Sequence, residues 1–594
     1  MTPAAAPLTL LSEWSALLFD TLVKAGVREV IASPGSRSTP LVLAASRTPG
    51  LTVRDVIDER SAAFFALGQA RATGRPSALI CTSGTAPAHH FPAVIEASQA
   101  RVPLIVLSAD RPFELMDCGA PQTIDQTRLF GTHVRSFVEL GVPEGTDLSL
   151  RSLRRRVVQA VHDAQWPTPG PVHVNVRAKK PLEPLEARDP AEREAAARVH
   201  ALLTQPAPRA HLPDSAPSTQ TTAHLAELLP RSERGLIVAG PGPLSQRDAR
   251  GPLFSLLRKT GFTLAADATS QLRLGAPDFV PDLAPDLVFA SSTLRGQAFD
   301  LVLQLGASPT SSAWEPFLAA QPRATHVVIA PHGWNDFTAQ ADELVCAPIA
   351  ATLRALDEHL DGARAPLRPL QDAAVSIDRQ LDAQLSREPA LSELGAARAL
   401  LSRLPEDALV MTGNSLPIRL LDAAAPRLRR HVDVLSQRGA NGIDGLISGA
   451  AGAASQGKPV ALLVGDTSFL HDLGGLELAR ALRTPLVLLV LQNGGGRIFE
   501  QLPVARAGLS ERELSHFTTP HGLRFGFAAA QFSLPYRQVA TPAALHEALD
   551  AAFAHPGASV IEAIVPEHGA RDDLAALART AEAAFAQAFA RGAP

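Results

Sequence analysis

The sequence predicts an α/β protein made of three tandem, doubly wound domains whose sheets are mainly parallel. Short apolar runs of strand length alternate with helical patterns along the 594 residues, and this alternation is typical of βαβ units that build parallel sheets. The length alone corresponds to three to five domains, at roughly 100–200 residues per domain. Polar and glycine-rich motifs follow the strands of the first and third blocks, which is where open α/β sheets bind ligands.

The first predicted domain covers residues 1–184, and residues 185–221 form a linker that contains a helix. Prolines cluster in the second half of this linker, which favours an irregular connection. Helices of the first domain are predicted over Ser61–Thr73 and Pro92–Gln99. Its strands are predicted within VREVIASPGS, TVRDVIDE, SALICTSG, VPLIVLSAD and PGPVHVNVR.

The central domain is predicted over residues 222–367 and the third domain over residues 372–594. A second linker, rich in Ala, Arg and Pro, crosses residues 362–370. We interpret the alanine-rich C-terminal helix, predicted over residues 572–592, as a packing element. The strands of the central domain are predicted within RGLIVAGPG, FTLAADAT, DLVLQLGAS, THVVIAPHG and ADELVCAP. Those of the third domain are predicted within DALVMTGNS, HVDVLSQRG, PVALLVGDTS, PLVLLVLQNGGG and ASVIEAIVP.

Composition excludes several classes of protein. Hydrophobic residues make up 46% and charged residues 19% of the chain, which is typical of a globular protein and not of a disordered one. The net charge of −4 gives no general attraction to nucleic acid or anionic lipid, so any anion site must be local. No apolar run approaches the ~20 residues that span a bilayer. The three cysteines show no C-x-x-C spacing, which favours a reducing, cytoplasmic location.

Lysine and asparagine are scarce, which indicates a composition biased toward arginine and alanine. Only five of the 55 basic residues are lysine, and asparagine also occurs five times. Under such a bias, each retained asparagine is a candidate for a specific role. The asparagines are Asn175, Asn335, Asn414, Asn441 and Asn493.

Two strand ends in the third domain present oxygen ligands for a metal ion. Asp466 follows the strand VALLVG, and Asn493 follows the next strand, so one crossover separates them and we expect them to be neighbours. With a backbone carbonyl from Gly495, they form the hard-oxygen set that Mg²⁺ or Mn²⁺ takes. A helix start at Thr467 and Ser468 offers N–H groups to a phosphate. Taken separately, each half of this pattern also occurs for purely structural reasons.

The spacing from Asp466 to Asn493 resembles the thiamine-diphosphate fingerprint of the pyruvate-decarboxylase-like superfamily. The resemblance implies thiamine diphosphate as cofactor, anchored through the metal ion. Many members have a glycine after the aspartate and a doubled asparagine, whereas this chain has Thr467 and Gln492. The oxygen ligands are nevertheless retained.

In that superfamily, a glutamate after the second strand of the N-terminal domain activates the cofactor's aminopyrimidine. Glu59, in VIDERSAAFFALG, matches this position. The alternatives are that Glu59 is a helix-start acid that complements the helix dipole, or that its neighbour Asp58 is the functional acid. Ser83 and Thr85, in TSGTAP, match the segment that contacts the pyrimidine. The pyrimidine and diphosphate sides belong to different subunits in this superfamily, which implies a homodimer or a dimer of dimers.

Longer motifs resemble one branch closely, the family of menaquinone-pathway 2-succinyl-5-enolpyruvyl-6-hydroxy-3-cyclohexene-1-carboxylate synthases. These motifs are SPGSRSTPL, DERSAAFFALG, TSGTA, SADRPFELMDCGAPQTIDQ and SQRGANGIDG. The resemblance implies a transferase that decarboxylates 2-oxoglutarate and adds the four-carbon unit to isochorismate by conjugate addition. Both substrates carry several carboxylates, which suits the planar, permanently charged guanidinium group.

The resemblance also implies roles for individual residues. Arg37 and Ile443 join Glu59 as expected catalytic residues, Ile443 as the apolar wedge that bends the cofactor. Any single arginine is otherwise an ordinary surface residue, and Ile443 could equally be a core residue after a glycine turn. Ile498 is expected beside the cofactor. The residues expected to face substrate are Arg37, Arg111, Gln122, Ser415, Arg419, Arg438 and Phe499.

The chain departs from this family in the central domain. Relatives often carry a basic pair after the strand that corresponds to DLVLQLGAS, where this chain has Ser312 and Ala313. Either fewer cations hold the acceptor or another arginine reaches it, and Arg295 is one candidate. Two other hypotheses stay open: a different thiamine-dependent 2-oxoacid decarboxylase or carboligase, such as an acetolactate-synthase-like enzyme, and a non-catalytic binding protein of the same fold.

Overall fold

The computed structural model describes residues 6–365 and 367–591. It contains three β-sheets, connected by helices, and every pairing between their strands is parallel. The predicted fold class is therefore confirmed. The predicted domain limits at residues 1 and 594, residue 366 of the second linker and residue 592 of the predicted last helix lie outside the described residues.

The first sheet has the strand order β2-β1-β3-β4-β6-β5. Its strands are β1 (Glu29–Ala32), β2 (Thr52–Asp55), β3 (Ser77–Cys81), β4 (Leu104–Asp110), β5 (Phe137–Glu139) and β6 (Pro171–Arg177). The helices of this part of the chain are α1 (Leu10–Lys24), α2 (Thr39–Arg47), α3 (Glu59–Thr73), α4 (Ala86–His89), α5 (Phe91–Ala100), α6 (Asp147–Asp163) and α7 (Pro190–Leu203).

The central sheet has the order β11-β10-β9-β7-β8. Its five strands are the five predicted from the sequence: β7 (Gly235–Ala239), β8 (Thr263–Ala266), β9 (Leu301–Leu305), β10 (Thr325–Ala330) and β11 (Glu343–Cys346). The helices here are α8 (Thr219–Arg231), α9 (Arg250–Thr260), α10 (Pro285–Ala290), α11 (Ser292–Arg295), α12 (Trp314–Ala319) and α13 (Ile349–Asp357).

The third sheet has the order β13-β12-β14-β15-β17-β16. Its strands are β12 (Leu409–Thr412), β13 (Val434–Ser436), β14 (Val460–Gly465), β15 (Leu486–Gln492), β16 (Tyr536–Val539) and β17 (Ala558–Ile564). The remaining helices are α14 (Arg368–Leu385), α15 (Glu393–Arg403), α16 (Leu416–Ala424), α17 (Leu446–Ala454), α18 (Asp466–His471), α19 (Gly475–Arg480), α20 (Glu511–Thr518), α21 (Gly526–Gln531), α22 (Pro542–Ala554) and α23 (Gly569–Arg591).

The first and third sheets repeat one topology, since the fifth strand of each lies outside the sixth at one edge. The sequence analysis missed these two strands, β5 and β16. Both are short and only partly buried, so they lack the continuous apolar runs of interior parallel strands. Strand β15, by contrast, is buried along its whole length and was predicted from its leucines and valines.

By packing, the chain divides into two compact units. The first unit holds the described residues up to Pro213, together with Gln437–Gln456 and Asp472–Ala481. The second holds Asp214–Ser436, Gly457–His471 and the described residues from Leu482 onward. The boundaries of the three domains stay a prediction. Among the described residues, no helix combines the length and apolarity that crossing a lipid bilayer requires.

Within the first unit, α3 and α17 pack so closely that glycine is required at their contact. A Cβ atom on Gly68 would lie 1.9 Å from the carbonyl oxygen of Gly449, and one on Gly452 would lie 2.0 Å from that of Phe65. Because backbone atoms are the obstacle, no side-chain rotation relieves the overlap. This contact fixes the helix that begins with Glu59.

We expect Gly68→Ala to lower the thermal unfolding midpoint, because the added methyl must separate α3 from α17, an overpacking cost of about 1–3 kcal/mol. Gly251 in α9 is the matched control, since a Cβ there meets no atom within 4 Å. Gly251→Ala should leave the protein equally or more stable, by up to ~1 kcal/mol. Differential scanning calorimetry measures both. A Gly68→Ala variant as stable as the wild type would contradict the close crossing.

Candidate functional site

The carboxyl ends of β14 and β15 bring Asp466 and Asn493 together, as the sequence predicted. Gly465 pairs with Leu491 in the parallel register, so the residues that follow meet at one sheet edge. The buried Asp466 carboxylate accepts hydrogen bonds from the Gly494 N–H at 2.8 Å and the Gly495 N–H at 2.9 Å. The carboxylate thus holds the turn that follows Asn493.

Glu393, which the sequence analysis missed, orients the amide of Asn493. The Asn493 Nδ2 donates to Glu393 Oε1 at 2.9 Å, while the buried Asn493 Oδ1 has no hydrogen-bond partner among the described residues. Burial raises the pKa of Glu393 to about 7. An acid in the first turn of a helix is the ordinary dipole pattern, so no local signal marks Glu393 as part of the site.

These atoms fit a divalent metal ion. A carboxylate, a free amide oxygen and the backbone carbonyl of Gly495 are hard oxygen ligands, and the buried, unpartnered Asn493 Oδ1 needs such a partner. Gly495 has φ +145°, and a Cβ there would lie 2.3 Å from the Thr518 carbonyl oxygen, so only glycine suits the turn. Within the described residues, no cluster of three or more His, Cys, Asp or Glu side chains offers a different metal site.

The predicted phosphate-side residues start α18. The Thr467 N–H donates to Asp466 Oδ1 at 2.6 Å and the Thr467 hydroxyl to the same atom at 3.2 Å. Ser468 is buried one residue further on. A phosphate would therefore compete with the Asp466 carboxylate for the Thr467 N–H.

Ile498 and Phe499 lie in the short helical turn Arg497–Gln501 that follows the glycines. Arg497 anchors this turn by donating its Nε to the Asn493 carbonyl at 3.1 Å. Both predicted residues are half-buried, and the Phe499 ring lies 5.7 Å from the Phe517 ring. The turn therefore presents two apolar side chains next to the metal ligands.

Ser415 and Arg419 lie together at the start of α16. Ser415 has φ +69°, a backbone conformation that is costly for a residue other than glycine and is often found at functional sites. Its carbonyl oxygen accepts from Arg419 Nη1 at 2.6 Å. Burial lowers the pKa of Arg419, against the opposing effect of Asp286, Asp267 and Asp422.

In the first unit, the structure separates the roles of Asp58 and Glu59. The Asp58 side chain caps α3 by accepting from the N–H groups of Arg60 at 3.1 Å and Ser61 at 3.3 Å. Glu59 is half-buried, and its charge adds to burial in raising the pKa of the Cys81 thiol at the end of β3. The capping role therefore falls to Asp58, and Glu59 lies near the TSGTAP segment.

Three predicted residues, Ser83, Arg111 and Gln122, form one hydrogen-bonded group. Arg111 Nη1 donates to the buried Ser83 Oγ at 2.6 Å, Ser83 Oγ donates to the Gln122 carbonyl at 3.1 Å, and Gln122 Nε2 donates to the Ser83 carbonyl at 3.0 Å. Thr85 is exposed at the N-cap of α4. The predicted pyrimidine-side and substrate-side residues thus share one surface of the first unit.

Arg37 adds a second guanidinium group near Arg111. Arg37 is 6% exposed, and its Nη1 donates to the Ala178 carbonyl at 2.7 Å. Burial, and then the charge of Arg111, lowers the pKa of Arg37. An anion that binds near both guanidinium groups would offset this unfavourable interaction.

A cavity of about 520 Å³ lies beside the loop that carries Arg37. Ser33, Gly35 and Thr39 line it from this loop, and Asp55 and Ile57 line it from the end of β2. Its volume lies in the range of small-molecule sites. It therefore provides room for a ligand at the carboxyl edge of the first sheet.

Arg438 and Ile443 lie in the segment Gln437–Gln456 of the first unit. The Glu96 carboxylate holds this segment by accepting from the N–H groups of Gly439 at 3.0 Å and Ala440 at 2.6 Å. Ile443 is half-buried, which suits a side chain that contacts a ligand better than it suits a core residue.

The missing basic pair of the central domain is replaced by a polar contact with an acid. Ser311 donates its hydroxyl to the Asp286 carboxylate, and Ser312 is exposed. Arg295, the suggested substitute, donates its Nε to the Phe289 carbonyl at 3.0 Å. The central domain therefore places a carboxylate, not a cation, next to Ser311.

Two family models match the chain. The model described as thiamine pyrophosphate enzyme, N-terminal TPP binding domain, matches residues 13–129. The model described as thiamine pyrophosphate enzyme, C-terminal TPP binding domain, matches residues 427–563. The two matches contain Glu59 and Asp466, respectively.

Curated relatives match over nearly the whole chain. A 2-succinyl-5-enolpyruvyl-6-hydroxy-3-cyclohexene-1-carboxylate synthase from Sorangium cellulosum is 44% identical, over 96% of this chain and 94% of the relative. A synthase of the same name from Roseiflexus sp. is 39% identical, over 96% of this chain and 98% of the relative.

Solved structures confirm the fold. A thiamine diphosphate-dependent 4-hydroxybenzoylformate decarboxylase from Rhodococcus jostii matches with a TM-score of 0.73 at 20% identity, over 93% of this chain and 99% of the other. Benzoylformate decarboxylase from Polynucleobacter necessarius matches with a TM-score of 0.72 at 16% identity, over 93% of this chain and 98% of the other.

We expect Glu393→Leu to weaken metal binding, because the Asn493 amide loses the acceptor that turns its oxygen outward. Outer partners of metal ligands typically contribute about 10–100-fold in affinity. Titration with Mn²⁺ in the presence of thiamine diphosphate, followed by electron paramagnetic resonance, measures the change. Glu393→Gln keeps an acceptor oxygen, so this variant should lose less Mn²⁺ affinity than Glu393→Leu. Equal Mn²⁺ affinity in the leucine variant and the wild type would show that Glu393 does not orient Asn493.

Proposed function

The chain belongs to the 2-succinyl-5-enolpyruvyl-6-hydroxy-3-cyclohexene-1-carboxylate synthase family, and from this membership we propose its reaction and the residues that perform it. It is a thiamine-diphosphate-dependent enzyme of menaquinone biosynthesis. The reaction is decarboxylation of 2-oxoglutarate and conjugate addition of the four-carbon unit to isochorismate. The pairing of Asp466 with the turn after Asn493, within a chain 44% identical to such a synthase, carries this proposal.

The cofactor is held from its two ends. We assign Asp466, Asn493 and the Gly495 carbonyl to a Mg²⁺ or Mn²⁺ ion, with Thr467 and Ser468 toward the diphosphate. Glu59 holds and releases a proton at the cofactor's pyrimidine nitrogen, with Ser83 and Thr85 beside that ring. Ile443 and Ile498 supply apolar contact that excludes water. Bound thiamine diphosphate supplies the electron sink for loss of carbon dioxide.

Arginines bind the substrate carboxylates. Two observations support this: the charge of Arg111 lowers the pKa of Arg37, and Arg111 is hydrogen-bonded to Ser83, which Gln122 contacts in turn. Guanidinium groups held in this way present planar donors that match carboxylates. The remaining proposed substrate contacts are Ser415, Arg419, Arg438 and Phe499.

The assembly we propose is a homodimer or a dimer of dimers, because the superfamily shares its sites between subunits. The three cysteines, which show no C-x-x-C spacing, support a reducing, cytoplasmic location.

An enzyme for a different 2-oxoacid is the second candidate. Two of the solved structures that match are decarboxylases of aromatic 2-oxoacids, but at this identity they bear on the fold alone. Two arginines, one of them buried, suit a dicarboxylate better than a monoanion. A non-catalytic binding protein would have no need for the metal-ligand set and Glu59, which this chain retains.

One assay separates these functions. With thiamine diphosphate and Mg²⁺, we expect carbon dioxide release from 2-oxoglutarate to match isochorismate consumption one for one. Carbon dioxide release without isochorismate consumption would support a different 2-oxoacid enzyme. Failure to turn over any 2-oxoacid while the cofactor is bound would support the binding protein.

We expect Glu59→Gln to keep cofactor affinity and to lose turnover by about 10²–10⁴-fold, the usual contribution of a positioned acid–base group. Asp58→Asn is the matched control, because asparagine also caps helices, and it should retain most activity. Steady-state kinetics and a cofactor titration by fluorescence quenching measure both variants. Near-normal turnover in Glu59→Gln would mean that a different group is the activating acid.

A further inference from the structure

Strand β6 carries polar side chains on a face where an apolar face is expected. Val172, Val174 and Val176 pack into the core of the first unit, and they alternate with His173, Asn175 and Arg177, which are also buried. β6 lies between β4 and β5, and interior strands of parallel sheets are normally apolar on both faces. A polar face at this position therefore calls for a specific reason.

Asn175, one of the five asparagines, uses its whole hydrogen-bonding capacity. Its Oδ1 accepts from Ser108 Oγ at 2.9 Å and Gln126 Nε2 at 3.1 Å, and its Nδ2 donates to Asp110 Oδ2 and Glu139 Oε2, both at 2.9 Å. The strand register places Ser108 and Glu139 directly opposite Asn175. A side-chain amide has two donors and two acceptor positions, so these four bonds fix its orientation.

Arg177 pairs with the same two carboxylates as Asn175. Its guanidinium lies 3.0 Å from Asp110 Oδ2 and 3.2 Å from Glu139 Oε2, and it packs over the Phe113 ring at 4.0 Å. Burial raises the pKa of Asp110, while Asn175 and Arg177 act in the opposite direction. One amide and one guanidinium thus hold two acids in a buried network.

This network ends on the proposed substrate-binding residues. Asp110 Oδ1 accepts from the Arg111 N–H at 2.7 Å, and Arg177 Nη1 donates to the Arg111 carbonyl at 2.8 Å. On the other side, Gln126 Oε1 accepts from the Gly84 N–H at 3.2 Å. The backbone on both sides of the Arg111–Ser83 contact is therefore tied to the partners of Asn175.

We propose that Asn175 is a positioning residue for substrate binding, which acts through Asp110 on Arg111 and through Gln126 on the Ser83–Gly84 turn. The inference rests on the proposed function, because it takes Arg111 to be a substrate contact. An amide is required at this position. Valine would remove one hydrogen-bond donor from each of the two acids, and aspartate would add a third acid to the pair.

The test compares Asn175→Val with Val174→Ala, a control on the same strand whose side chain points into the core. Hydrogen exchange of the peptide over residues 111–123 is the readout that does not depend on activity. Asn175→Val should exchange faster there than Val174→Ala when the two are matched for thermal stability. Equal exchange would overturn the proposal, whatever reaction the enzyme performs. If Asn175→Val does not fold, Asn175→Ser replaces it in the same comparison.

Kinetics supply the second readout. Because displacement of a binding group by about 1 Å can cost ~10²-fold, Asn175→Val should lower kcat/KM by about that factor, with cofactor affinity unchanged. In the Arg111→Ala background, the same substitution should have little further effect, since residues that act as one unit are not additive. Fully additive losses would assign Asn175 a structural role only. If the wild type does not use 2-oxoglutarate, the proposed function is refuted. The hydrogen-exchange comparison then still decides whether Asn175 positions Arg111.

Discussion

The proposed cofactor half of the site depends on one contact, in which the Asp466 carboxylate accepts hydrogen bonds from the Gly494 and Gly495 N–H groups. Parallel strands β14 and β15 end at the same sheet edge, and the carboxylate bridges the end of one to the turn after the other. That turn sets the direction of the Gly495 carbonyl, and a hydrogen bond to Glu393 sets the orientation of the Asn493 side-chain amide. Hydrogen bonds within the protein therefore hold the proposed oxygen ligands, and such preorganisation would reduce the ordering cost of metal binding.

The proposed substrate half depends on cations, whereas the proposed cofactor half depends on a carboxylate. The chain has a net charge of −4, so it offers no broad positive surface to steer anions. Instead, the charge of Arg111 lowers the pKa of Arg37, and Arg177 pairs with the buried Asp110 and the partly exposed Glu139. The anion binding that we propose is thus a local property, built beside a network in which Arg177 pairs with both acids.

Most of the fold could be predicted because interior parallel strands are buried on both faces and read as apolar runs. All five central strands and the interior strands of both outer sheets follow this rule. The edge strands β5 and β16 do not, since each is short and partly exposed. Candidate site residues within strand-end motifs, such as Asp466 and Arg111, could also be located, and their roles stay a prediction. Glu393 could not, because it contacts Asn493 across 100 positions of the chain.

The sequence by itself determined the fold class, the cofactor class and the family, because apolar periodicity and strand-end motifs are local patterns. Only the tertiary structure decided which acid caps α3 and how the side-chain amide of Asn493 is oriented. It also showed that Asn175 is hydrogen-bonded to both Asp110 and Gln126, and that Ser311, next to Ser312, contacts Asp286. Strand register and burial decide these contacts. Both arise from packing between distant segments, which no local pattern of residues encodes.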